Sequence, residues 1–492
     1  MKKSIIATAI IALLGQMAIA QTPDAVYRLI RQEWTINADG TSDYHFRQEV
    51  EIIRNRALTA YADKGETFVV YNPELEEVTV NEVYTIQADG RRVSMPQNAF
   101  IHQLPAECAD CGRYNNLREL AMVHTGMELG CTVVTDYTIH RRYNLINEEL
   151  TLSRECPVQR LEVVVNYPQG QEFVPILYKG LEGYEHGTLQ ETHQDGKYSL
   201  VGTNLPSTCR DAYLPANYYP ALHIFNGTPL WEPPFGDERF DGAQDAMGRT
   251  MASRDKKVKI EAARNYVVDY IHLNDIHPSH LGYTHASAAE TWQSGCGTAT
   301  DKAVLLAAIL RSEGFNAHVV GSDADQVGIM LDTMEYRLSV RNKEPLSLYA
   351  EAKDEVASLS LKRTPDCQLD TLQDGFYNLS LAPIPQTPAI DARLLTPTRE
   401  TPLASPLCDI NVTDQYTLPA PLSLVGGKQS RKISYDGLGS VEVTVKLSGD
   451  KLTVERRLKL EQRLVSPADY AHYREIVALW HTLNQGILLK AK

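Results

Sequence analysis

Between Ala299 and Glu313 the chain carries Ala303, Val304, Leu305, Leu306, Ile309 and Leu310, and Gly314 stands in the usual stop position. Wound at 3.6 residues per turn, this stretch is apolar on nearly every side. Such a helix cannot lie on a surface; it has to form the centre of a domain. Whatever else the chain does, it must wrap other elements around this segment.

What precedes the helix has a different texture. Tyr44, Phe46, Val50 and Ile52 alternate with His45, Arg47, Glu49 and Glu51, the period of a half-buried strand. Val133, Thr135, Tyr137 and Ile139 repeat the pattern, as do Leu161, Val163, Val165 and Tyr167. Asp39-Gly40 and Asp89-Gly90 are hairpin signals. Residues 21–235 are therefore expected to form an N-terminal β-sandwich domain. Near Pro233-Pro234 the pattern turns helical: Ser253 is expected to cap a helix with Ile260, Ala263, Val267 and Ile271 on one face. Residues 315–362 read as short strands and loops, giving a central α+β domain over 236–380.

Six prolines between Pro383 and Pro406 mark 381–406 as a linker or an extended edge segment. Beyond it, Val441, Val443, Val445 and Leu447 alternate, and Leu452, Val454, Leu458 and Leu460 do so across the turn Ser448-Gly449-Asp450. Ser466-Pro467 then opens a helix with Tyr473, Ile476, Val477, Trp480 and Leu483 on one stripe. Residues 407–492 are expected to be a small C-terminal β domain closed by that helix. The whole reads as an α+β multidomain chain, in keeping with its 492 residues.

The first twenty residues have the form of an export signal. Lys2 and Lys3 precede the apolar run Ile5–Leu14, and Ala18-Ile19-Ala20 is a small-x-small cleavage site. Gln21 follows where a lipidated Cys would sit in a lipoprotein. The expected location is the periplasm of a bacterium or the outside of the cell, with no membrane span. Lys and Arg number 48 against 62 Asp and Glu, a net charge of −14, which argues against nucleic acid as a partner. The eight cysteines suit an oxidising compartment, although their pairing cannot be read from sequence. Cys108-Ala109-Asp110-Cys111 has the spacing of a redox pair or of half a zinc site. No second CxxC and no thioredoxin-like surroundings accompany it, so a structural disulfide or loop staple is expected.

Residues 282–320 read GYTHASAAETWQSGCGTATDKAVLLAAILRSEGFNAHVV. This segment resembles the nucleophile region of the transglutaminase-like (papain-like cysteine enzyme) superfamily, whose pattern is A-A-E, a spacer, then Y-G-D-C-x-D-K-A-x-L-L-x-x-L-L-R-x-x-G. Ala288-Ala289-Glu290, Asp301-Lys302-Ala303, Leu305, Leu306, Leu310, Arg311 and Gly314 fall into register without a gap. The whole chain resembles exported bacterial proteins with an uncharacterised β domain before this fold and a small β domain after it.

The resemblance implies a Cys at the first turn of the buried helix, where the helix dipole favours thiolate, with a His to take its proton and an Asp to orient the His. The register puts Ala299 at the Cys position and Gln326 at the His position, and Leu348-Tyr349-Ala350-Glu351 where the Asp-bearing strand is expected. Thr298 and Asp301 still form a capping pattern. The expectation is a pseudoenzyme: an envelope binding or scaffold module for a peptide, glycan or protein partner, with no cofactor and no metal. The alternative is a cysteine hydrolase or acyltransferase that uses Cys296, three residues before Ala299, with His277, His280, His285 or His318 as base. A third reading is a purely structural envelope protein. Asp323-Ala324-Asp325 with Gly328 begins like a calcium loop, but Met334 occupies the closing Glu position, so an ordinary loop is expected.

Overall fold

The computed structural model describes residues 22–59, 66–171, 173–227, 235–248, 252–320, 327–331, 338–341, 357–382, 384, 396–427, 429–483 and 486–492. The leader at 1–20, Gln326, Asp323–Asp325 and Leu348–Glu351 fall outside them. Two compact units divide the chain: residues up to Thr208 with Tyr219–Pro345, and Cys209–Tyr218 with Leu346–Lys492. The chain is mostly β-sheet, with several sheets and few helices.

In the first unit, alternation produces strands where it was legible. The strands are β1 (Ala25–Ile36), β2 (Ser42–Ile52), β3 (Glu76–Ile86), β4 (Arg92–Ser94), β5 (Thr132–Arg141), β6 (Val158–Asn166), β7 (Thr188–Gln194) and β8 (Lys197–Leu205). They form one sheet in the order β7-β8-β6-β1-β2-β5-β3-β4. Neighbours run antiparallel except β1 and β6, which are parallel with Ile30 opposite Leu161 and Trp34 opposite Val165. The inward rows of β1, β2, β5 and β6 bury Ile30, Trp34, Val50, Val133, Ile139, Leu161 and Val163. Val69, Leu120 and Met122 from one three-stranded sheet and Leu222 and Ile224 from another close the same core.

After 235, helix α1 (Lys256–Tyr270), helix α2 (Ala288–Ser294) and helix α3 (Ala299–Ser312) are followed by strands β9 (Ala317–Val320), β10 (Gly328–Leu331) and β11 (Leu338–Ser339). Asp255, not Ser253, is the cap of α1, accepting from the Lys257 backbone N–H at 2.9 Å. Ser253 Oγ instead accepts from the Asp255 N–H, one step further out. Every residue of α3 from Ala303 to Leu310 is buried, as its composition requires. It is packed by Ile260, Ala263 and Val267 of α1 on one side and by Ala317, Ile329 and Leu331 of β9 and β10 on the other.

The second unit begins earlier than the change of texture near 381 would place it. Strand β12 (Ala357–Arg363) pairs in parallel with β13 (Cys408–Thr417), and the five-stranded sheet continues through β16 (Lys451–Leu460), β15 (Gly439–Ser448) and β14 (Gln429–Tyr435). A parallel partner fifty residues away leaves no local turn signal for a reader of sequence. Helix α4 (Tyr470–Leu483) covers this sheet with Tyr473, Ile476, Val477 and Trp480. Within 381–406, Leu403 is buried and Leu403–Ala404 pairs with Leu464–Val465, so this part is packed edge rather than free linker.

Candidate functional site at the start of the buried helix

The segment from 285 to 302 is built by two successive capping boxes. Ser287 and Glu290 exchange side-chain and backbone bonds at the start of α2. Gly295 then ends α2 in the left-handed conformation that a residue with a Cβ adopts at a penalty. Cys296 and Gly297 follow as a two-residue strand, parallel to His272–Leu273. Thr298 caps α3, accepting from the Asp301 N–H at 3.2 Å, while Asp301 Oδ2 accepts from the Thr298 N–H at 2.8 Å.

Asp301 does more than cap. Its Oδ1 accepts from the Ala286 N–H at 2.6 Å and its Oδ2 from the Tyr114 hydroxyl at 2.9 Å. One buried carboxylate thus ties the start of α3 to the loop before α2 and to the β-rich region of the same unit. Burial, and then Asp301 itself, hold the Tyr114 phenol above its usual range, so it remains a donor. Gly297 permits this approach, since a Cβ there would stand 2.8 Å from the Asp301 Cβ. Next to it, Lys302 is 1% exposed and its Nζ donates to the Ile271 carbonyl at 2.7 Å.

Burial, with Arg341 adding repulsion, pushes the Lys302 ammonium down to about 8 from an ordinary 10.5. The sign follows directly. Between about pH 8 and 10.5 the unfolded lysine holds a proton that the folded one has shed, so folding stability rises with pH there. The rise attributable to this group is about 3 kcal/mol at 1.36 kcal/mol per unit. Comparing denaturant midpoints across that range in the parent and in Lys302→Met checks it, because the variant should lose this part of the slope.

Ala299 occupies the first helical position, 4% exposed, and presents only a methyl group where the resemblance expects a thiol. Cys296 lies close to it in the chain but is bonded to Cys111 across a Cα–Cα distance of 5.9 Å. The bridge spans 185 positions, a loop for which the chain-entropy picture gives about 5 kcal/mol of stabilisation. Cys111 and Cys296 share an apolar cluster with Cys108, Tyr114, Leu117 and Ile276.

The histidines near this segment are engaged in other ways. His285 Nδ1 bonds to the Ala286 carbonyl at 3.1 Å. His277 Nδ1 accepts from the Ser279 hydroxyl at 2.7 Å and caps the short turn Pro278–Leu281. His280 Nδ1 lies 3.3 Å from Glu76 Oε2. Burial alone would raise the Glu76 carboxyl, but His280 and Arg141 hold it below the usual range. His318 sits on the exposed row of β9. The structure therefore brings Ala299 and Cys296 to one place, pairs Cys296 with Cys111, and shows no bond from these imidazoles to it among the described residues. Tyr114 carries no signal in the sequence. The Cys108-x-x-Cys111 spacing leads to the expectation of a structural disulfide or loop staple. Cys111 is indeed bridged, but to Cys296 and not to Cys108, which is a free thiol, and the distant partner cannot be read from spacing.

Residues 38–208 match the profile of a family described as a domain of unknown function with solved structure, DUF3857. Residues 376–489 match a second family described in the same way, DUF3858. No curated protein matches the chain. Among solved structures, a protein from Parabacteroides distasonis described as a "putative protease" is 23% identical, over 95% of this chain and 99% of that one, with a TM-score of 0.71. The chain shares that protein's fold over nearly its whole length. An M1 zinc metallopeptidase from Deinococcus radiodurans matches at 9% identity over 57% of this chain and 62% of that one. Its TM-score of 0.19 carries no argument. No described helix is long and apolar enough to cross a membrane.

Proposed function

We propose that this chain is an exported transglutaminase-like protein that has lost catalysis and serves as a binding or scaffold module for a peptide, glycan or protein partner in the bacterial envelope. In this reading residues 236–380 carry the transglutaminase-like α+β fold between two β domains. The observation that carries it is the start of α3: the helix is doubly capped and buried, yet its first residue is Ala299, with no group to attack a carbonyl. Asp301 and Lys302, the most family-like pair, both serve the frame, one as a cap and tie and the other as a donor to a buried carbonyl.

The rival, a cysteine hydrolase using Cys296, needs a free and accessible thiol. Cys296 is bridged and 1% exposed, which speaks against it. The proposal is tested by restoring the missing groups. The folded Ala299→Cys, Gln326→His double variant is expected to hydrolyse or transfer peptide amides at least about a hundredfold above a blank, the order that a placed base contributes. A folded variant as inert as its parent would overturn the claim that a competent frame is retained.

A further inference from the structure

We infer that Cys108, Cys111 and Cys296 form a disulfide relay in which the Cys108 thiol displaces Cys296 from Cys111 and so unlatches the start of the buried helix. This does not rest on the reading above, since it holds whether or not the helix start ever carried chemistry. Three observations lead to it. Cys108 is a free thiol, and it lies in the same buried cluster as both sulfurs of the bridge. Second, Cys108 and Cys111 are joined by one tight turn, the Cys111 N–H donating to the Cys108 carbonyl at 3.1 Å. A turn of this kind brings its end Cα atoms within about 7 Å, overlapping the 4.4–6.8 Å range that a disulfide spans. Third, the sulfur that would leave sits directly before Gly297, Thr298 and α3, so its release acts on the helix cap.

The exchange balances without an outside oxidant or reductant. Cys108 gives up its proton and its thiolate attacks Cys111 Sγ. The Cys108–Cys111 bond forms as the Cys111–Cys296 bond breaks, and Cys296 leaves as a thiolate that takes up the proton. A bridge joining positions 185 apart becomes one closed within a single turn. The Tyr114–Asp301 and Asn274–Glu107 hydrogen bonds then remain as ties between the 104–117 segment and the helix start. Burial pushes the Cys108 thiol up to about 11, so the latch is slow near neutrality and quickens as pH rises.

The full chain, purified without reductant, is incubated at about pH 7 and about pH 9, quenched with acid, alkylated under denaturing conditions and mapped by non-reducing peptide analysis. The expected result is a Cys108–Cys111 species with alkylated Cys296, reaching about a tenth or more of the folded population. Its initial rate should rise roughly tenfold per pH unit, following the thiolate fraction. Cys108→Ser should abolish that species and leave Cys111–Cys296 intact. Cys108 alkylated with Cys111–Cys296 fully bridged at both pH values would overturn the inference. Air-oxidised Cys296→Ser offers a second reading: a Cys108–Cys111 bridge supports the relay, and two free thiols there contradict it.

Discussion

An Asp301→Ala chain is expected to lose about 4 kcal/mol of folding stability. The truncation does not merely delete a helix cap, for which about 1 kcal/mol is typical. It strands three donors that now end on this carboxylate: the backbone N–H groups of Ala286 and Thr298 and the Tyr114 hydroxyl. Each buried orphan costs roughly 1–3 kcal/mol. Asp301→Asn keeps the shape and one acceptor oxygen but turns an amide NH2 toward a donor, so about half the loss is expected. Tyr114→Phe removes one donor and should cost about 1 kcal/mol. Chemical denaturation of the three variants checks the order. A loss below about 1 kcal/mol for Asp301→Ala would mean that these bonds do not hold the helix start.

In the second unit, Asp414→Ala is expected to cost about 3–5 kcal/mol. Asp414 is fully buried and takes both arms of Arg363, at 2.7 and 2.9 Å, together with Arg456 Nη2 at 2.5 Å. Arg456 also donates to the Ala382 carbonyl, whose own N–H bonds to the Tyr416 hydroxyl. Without the carboxylate, Arg363 can still reach water, its side chain being a quarter exposed, but Arg456 cannot at 1%. The loss is therefore that of the carboxylate facing a buried cation. Adding Arg456→Met to Asp414→Leu removes charge and countercharge together and should recover most of the stability. A double variant as unstable as Asp414→Ala would assign the effect to packing instead.

Where a residue's role is set by its neighbours in sequence, the fold was legible. The alternation of Tyr44, Phe46, Val50 and Ile52 became β2, and the all-round apolar run after Ala299 became the buried α3. The capping pattern at Thr298 and Asp301 was legible for the same reason, since both partners lie within one turn. Long-range pairing was not. Cys111 meets Cys296 across 185 positions, Tyr114 meets Asp301, and the strand at 357–363 joins a sheet whose next strand begins at Cys408. Arg456 interrupts the apolar alternation of β16, yet it points inward because Asp414 waits on the adjacent strand β13. At the candidate site, the sequence placed an alanine at 299 where the resemblance expects a thiol, while the disulfide that occupies Cys296 required the structure.

The absence of a nucleophile at the head of α3 is tested most directly by turnover. The full chain and its Cys296→Ala variant are assayed side by side on peptide amides and thiol-activated esters at neutral pH. Both are expected to match the uncatalysed blank. Turnover by the parent that Cys296→Ala abolishes would contradict the account, because it would show a working sulfur where a spent frame is proposed.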